Sequence, residues 1–180
     1  MILDNFLMFD SPTAPADLAQ IIGDYVSTNV VDLHMSGLPV LANGQGARDM
    51  GIGDNPALKM LVQVTETFAS TGAATLQIAL QGAPDNGSGA PGTYDTYWLS
   101  PLYALASLVA GARLYDMDLP RPPQGVEMPR FLRMIYTIAT ETTTAGEVVA
   151  GIVIDRDDQV YNGTNNAVQG GYPAGITVPN

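Results

Sequence analysis

Thr75-Leu76-Gln77-Ile78-Ala79-Leu80-Gln81 decides the fold, because its large apolar residues recur at every second position. Leu76, Ile78 and Leu80 point one way and Thr75, Gln77 and Gln81 the other, the period of a half-buried strand. The run before it behaves alike, with Leu58, Met60, Val62 and Val64 opposite Lys59, Gln63 and Thr65. Between them, Ala69-Ser70-Thr71-Gly72 reads as a short turn, so the expectation is an antiparallel pair.

The same alternation returns downstream. Tyr115, Met117 and Leu119 lie opposite Asp116 and Asp118, and Leu132, Met134, Tyr136 and Ile138 lie opposite Arg133 and Thr137. Val148, Ala150, Ile152 and Ile154 form a further face, opposite Glu147 and Asp155. Ile2 to Phe9 and Thr28 to Leu33 are weaker strand candidates, and Tyr94 to Leu99 adds an eighth. Pro12 and Pro15 leave room only for a short helical turn around Ala16 to Ile22. Short antiparallel strands without a regular helix predict an all-β chain: an antiparallel β-sandwich, a jelly roll of about eight strands, over residues 1–156. Ala83 to Thr93 (APDNGSGAPGT) reads as a flexible loop. Residues 157–180 are polar and glycine-rich, with few apolar anchors besides Tyr161, Tyr172 and Val178. They predict an extended C-terminal tail that packs on the domain or on a neighbouring subunit.

Composition narrows the chemistry. The 180 residues hold no Cys, one His (His34) and one Lys (Lys59), which removes disulfides, thiolate metal sites and cysteine nucleophiles. Eighteen carboxylates against seven basic groups give a net charge of −11, which repels phosphate backbones and argues against nucleic acid as a partner. Met1 to Asp10 lacks a basic leader region, and the longest apolar stretch, near Leu102 to Ala112, falls far short of the roughly 20 residues that span a bilayer. The expectation is a soluble chain made in a cytoplasm, with no membrane partner.

Each chemical candidate weighs against a plainer reading. His34 alone cannot build a multi-His metal site, and no G-x-S-x-G context accompanies it as a catalytic base. Asp116 and Asp118 read as a solvated or edge-protecting strand face, and Asp155, Asp157 and Asp158 lack the D-x-D-x-D-G spacing of a calcium loop. Gly44, Gly46, Gly51 and Gly53 read as turn glycines, because no Lys-Ser/Thr follows as in a phosphate loop. Asn86-Gly87-Ser88 and Asn162-Gly163-Thr164 are likewise turn sequences. Arg130 and Arg133, with Arg121 upstream, concentrate positive charge that either receives a partner's carboxylates or balances the chain's own Asp residues. Phe131/Ile135 and Leu3/Leu7/Phe9 set apolar groups on faces expected to be wet, which points to a homo-oligomer or a docking surface. An alternative is a carbohydrate-binding β-sandwich using Tyr94, Tyr97, Trp98 and Tyr103 as stacking groups.

Several stretches together carry a resemblance. They are Met1-Ile2-Leu3-Asp4 leading to Phe9, Ser27-Thr28-Asn29-Val30-Val31-Asp32-Leu33, and Ala47-Arg48-Asp49-Met50-Gly51-Ile52-Gly53. Arg130-Phe131-Leu132-Arg133-Met134-Ile135-Tyr136-Thr137 and Thr144-Ala145-Gly146 through Ile154-Asp155-Arg156 complete the set. In order and spacing the chain resembles the jelly-roll capsid cement (decoration) proteins of short-tailed bacteriophages, the type seen in Bordetella phage. It departs by extra residues around Pro12 to Asp24, Leu38 to Gly46 and Tyr94 to Leu108. The resemblance implies a non-enzymatic virion protein on the capsid exterior, without cofactor, that bridges copies of the major capsid protein and associates with itself as a dimer or trimer. Its candidate contact residues are Ile2, Leu3, Phe6, Leu7, Phe9, Arg130, Phe131, Arg133, Ile135, Tyr161 and Tyr172.

Overall fold

The computed structural model describes residues 7–33, 58–126 and 129–153, and the backbone of 154, 161–162 and 167–168. In chain order the first strands are β1 (Met8–Asp10), β2 (Ala16–Asp17), β3 (Gly23–Val26) and β4 (Val31–Asp32). There follow β5 (Leu58–Ser70), β6 (Thr75–Ala83), β7 (Asp95–Leu99), β8 (Tyr103–Ala104) and β9 (Arg113–Asp118). β10 (Phe131–Ala139) and β11 (Thr143–Ile154) end the sandwich, and β12 (Tyr161–Asn162) pairs with β13 (Ala167–Val168) by itself. Every pairing is antiparallel.

Sheet one runs β1-β11-β5-β9, with β2 also on β11; sheet two runs β3-β10-β6-β7, with β4 also on β10 and β8 also on β6. β2, β4 and β8 thus continue β1, β3 and β7 along the same partners. Counting each broken strand once leaves eight, in the orders one-eight-three-six and two-seven-four-five. That is the double-sheet jelly roll. The break between β7 and β8 has a local cause at Ser100-Pro101. Proline offers no N–H to the ladder, and the buried Ser100 hydroxyl accepts the Ile78 N–H (2.9 Å) while Ser100 N–H donates to Ile78 O (2.8 Å).

The inward faces are those the alternation marks, except on β9, where Met117 is 64% exposed. Met60, Val62, Val64, Leu76, Ile78, Leu80, Leu132, Met134, Tyr136, Ile138, Val148, Ala150 and Ile152 are buried in one core between the sheets. At roughly 1.5–3 kcal/mol for each large apolar side chain, this layer is the main stabilising term. Sheet one is apolar beyond its core face as well. Leu61, Val149 and Val153 have the opposite parity and are also buried. Met8 lies across Gly151, where a Cβ would collide with its sulfur.

Four expectations are corrected. β5 and β6 do not pair; the turn at 71–74 carries the chain from sheet one to sheet two, and alternation cannot reveal this because both strands face the same core. Ala16 to Ile22 is not helical. Its backbone is used by β11, through the pairs Val148–Ala16 and Glu147–Asp17 and a bond from Leu18 N–H to Gly146 O (2.9 Å). The loop at 84–92 is not loose, since Asn86 N–H donates to Ala90 O and Gly92 N–H to Pro84 O. Leu7 and Phe9 do not form a wet face; they are 3% and 0% exposed, inside the core. Ile2, Leu3, Phe6, His34, the glycines at 44–53, Asp155, Asp157, Asp158 and Tyr172 lie outside the described residues, and of Tyr161 only the backbone is described.

Candidate functional site

β10 sits in the middle of sheet two, and its odd-numbered residues from Phe131 to Thr137 face away from the core. Register aligns them with neighbours on both sides. Ile135 lies opposite Val26 on β3 and Ala79 on β6, and Ala79 lies opposite Leu99 on β7. The result is an apolar row, Val26–Ile135–Ala79–Leu99, across four strands of the outer face. Its ends are the open parts, with Val26 51% and Leu99 56% exposed.

Polar rows flank it on both sides. On one side Arg133 Nε donates to Gln81 Oε1 (2.9 Å), and Gln81 Nε2 donates to Thr96 Oγ1 (3.3 Å). The Arg133 guanidinium stacks 3.7 Å above the Tyr94 ring, a cation–π contact that holds the long side chain flat on the sheet. On the other side the Thr137 hydroxyl donates to Asp24 Oδ1 (2.5 Å), and Gln77 Nε2 donates to Ser100 O (3.0 Å). The face therefore presents apolar surface between a basic margin and an acidic one.

At the end of the sheet Arg130 is spent internally. Its Nε and Nη2 donate to the two oxygens of Asp32 at 3.0 Å each, a bidentate pair, while Nη1 donates to Asp85. Asp85 also accepts the N–H groups of Gly87 (2.8 Å) and Gly89 (3.0 Å), so one carboxylate folds the tip of the loop and ties it to β10. The Gly89 N–H foremost, then Gly87 and Arg130, hold the Asp85 carboxyl below its ordinary range against the opposing effect of burial. Phe131 lies beneath the Arg130 guanidinium, 4.8 Å from ring centre to carbon, and is buried. Of the two readings open for this arginine, balancing the chain's own Asp residues is the one the geometry fits. The wet face expected at Phe131/Ile135 is corrected for Phe131 and holds only for the half-buried Ile135.

The aromatic candidates are not arranged as a platform. Tyr94 is covered by Arg133, Tyr97 packs over Gly82 against the core, and Trp98 meets Tyr115 edge-on at 4.4 Å. The Tyr103 hydroxyl donates to Leu114 O (2.6 Å). Asp116 pairs with Arg113 at 3.2 Å on β9, the last strand of sheet one among the described residues.

Sequence reading missed the partners of these groups. Val26 and Asp24 lie on β3, too short at four residues to show alternation, and Asp32 and Asp85 are 98 and 45 residues from Arg130. It also missed a polar tie through the core. Asp10 of sheet one, fully buried, accepts the Tyr136 hydroxyl of sheet two (2.5 Å) and the Thr28 N–H (2.7 Å). An Asp directly after Met8-Phe9 was the available signal.

Among known proteins, the Bbp16 family model matches residues 17–152, from β2 to near the end of β11. No curated protein matches the chain significantly.

Proposed function

Because the chain belongs to the Bbp16 family, named for a Bordetella phage protein, we propose that it is a non-enzymatic structural protein of the phage head. In this reading it is a cement protein that binds the outer surface of the capsid and bridges copies of the major capsid protein. The observation that carries it is the outer face of sheet two, with apolar Val26 and Leu99 exposed between charged margins on a hydrogen-bonded sheet. Contact is what such a face supplies. Apolar area gives non-directional attraction, and the flanking charges fix orientation. Repetition over a shell turns modest contacts into firm retention through effective concentration.

The test is co-sedimentation of purified protein with heads assembled without it. Saturable binding, with a gain in the temperature at which heads disrupt, supports the reading. Full recovery in the supernatant at all concentrations contradicts it.

A further inference from the structure

We propose that Asn86 is a site of spontaneous modification, where the side-chain amide cyclises onto the Gly87 nitrogen with loss of ammonia, and that the Asp85 latch holds this reaction off while the loop is closed. Asn86-Gly87-Ser88 forms the exposed tip of the loop between β6 and β7. An Asn followed by Gly is the pairing most open to this reaction, because glycine has no Cβ to hinder approach of its nitrogen to the side-chain carbon. A Cβ added at Gly87 would meet nothing within 4 Å, so solvent reaches the tip. Gly87 also has φ +89°, a conformation glycine adopts without strain, so the turn itself calls for the labile pair. The step needs only water. The Gly87 nitrogen gives its proton to hydroxide and attacks Asn86 Cγ. A new N–C bond closes the succinimide ring, and the Cγ–Nδ2 bond breaks as the leaving nitrogen takes a proton from water and departs as ammonia. Water then opens the ring at either carbonyl, giving aspartate or, with the main chain rerouted through Cβ and Cγ, isoaspartate.

The closed loop opposes each event in turn. Gly87 N–H donates to Asp85 Oδ1 at 2.8 Å, so the proton that must leave faces a carboxylate, and the amide anion left behind would be repelled by it. The Gly89 N–H foremost, with Gly87 and Arg130, keeps that carboxyl below its ordinary range, which makes it a poor base for the proton. Asn86 Oδ1 accepts the Ser88 N–H (2.9 Å) and the Ser88 hydroxyl (2.6 Å), which fix the side-chain amide in one orientation. The backbone is pinned as well, with Asn86 N–H on Ala90 O (2.9 Å) and Gly92 N–H on Pro84 O (2.8 Å). Ring closure turns the Asn86 side chain and backbone together, so it waits on local opening of the loop. The change is then one-way. Isoaspartate inserts a methylene into the main chain, and either product adds a negative charge beside Asp85, so the original contacts do not re-form.

The experiment incubates the full folded chain at mildly alkaline pH beside a blocked synthetic peptide of residues 83–93. Proteolytic mapping by mass spectrometry reads conversion at Asn86 separately from Asn43-Gly44 and Asn162-Gly163, and enzymatic methylation of isoaspartate identifies the rearranged product. The wild type is expected to convert at Asn86 at least about tenfold more slowly than the peptide, equal to an opening free energy of about 1.4 kcal/mol. Asp85→Ala, checked for folding by circular dichroism, is expected to convert about fivefold faster than the wild type, the worth of one lost hydrogen bond. Ser88→Ala, at an exposed position, is expected to move the rate in the same direction. A wild type that converts as fast as the peptide overturns the proposal, as does a peptide that stays intact. A folded Asp85→Ala chain no faster than the wild type overturns it too. Should that variant fail to fold, the comparison of wild type with peptide and the Ser88→Ala rate decide the matter. These outcomes need no capsid and are independent of head binding.

Discussion

Tyr136 shows how much one polar contact does inside an apolar layer. Its ring belongs to the core, but its hydroxyl spans to sheet one and donates to buried Asp10. Removing the hydroxyl leaves a buried carboxyl with only the Thr28 N–H, so Tyr136→Phe is expected to cost about 1–3 kcal/mol in urea denaturation at neutral pH. Burial, then the neighbouring Asp10, raises the Tyr136 pKa well above its ordinary 10.0. A raised acid holds its proton longer in the folded state. Its contribution is therefore complete below pH 10 and is lost as pH climbs toward the folded value. Wild-type stability should fall above about pH 10 more steeply than that of Tyr136→Phe. Equal slopes would show that the hydroxyl is not held as described.

Asp85 works with the opposite sign. Its carboxyl is held below 3.8, so what it adds is present above that value and is lost as pH falls through the lower folded one. Asp85→Ala removes the acceptor for Gly87, Gly89 and Arg130 together. Amide exchange at those two glycines is expected to accelerate markedly while β6 and β10 keep their protection. Unchanged exchange would mean that the loop holds itself.

Among elements, β11 is the most demanding, since it serves β1, β2 and β5 at once. Gly146 lets it do so. Its φ is +141°, and a Cβ there would lie 2.5 Å from the Phe68 ring. Gly146→Ala combines backbone strain with overpacking and should cost about 1–3 kcal/mol, read as a lower urea midpoint. The same strand marks what a sequence tells and what it withholds. Val148, Ala150 and Ile152 announce a buried face through period-2 spacing, and so do Leu76, Ile78 and Leu80 on β6. Pairing is another matter, because residues on both sheets face one core and carry one pattern. Adjacent β5 and β6 therefore look like a hairpin while lying in opposite sheets. At the candidate face, Ile135 and Arg133 were legible as outward groups of one strand. Val26, Leu99 and Asp24 were not, because only register places them beside Ile135, Ala79 and Thr137.

Over the described residues the molecule is a jelly roll whose polar side chains are largely committed to one another. Arg130 closes a loop, Arg133 lies on Tyr94, and Tyr136 joins the sheets. What remains on the outer face of sheet two is a surface suited to contact, and the proposed function directs that contact to a phage head. Salt sets the range over which the charged margins sense a partner, about 8 Å at physiological ionic strength. Attachment guided by the margins should consequently weaken as salt rises. The most direct test is electron microscopy of particles produced in the host with and without this chain. The account predicts added density on the outside of the head, seated between capsid subunits and lost when the chain is deleted. Heads of identical outer surface in the two preparations, or density only inside the shell, would contradict it.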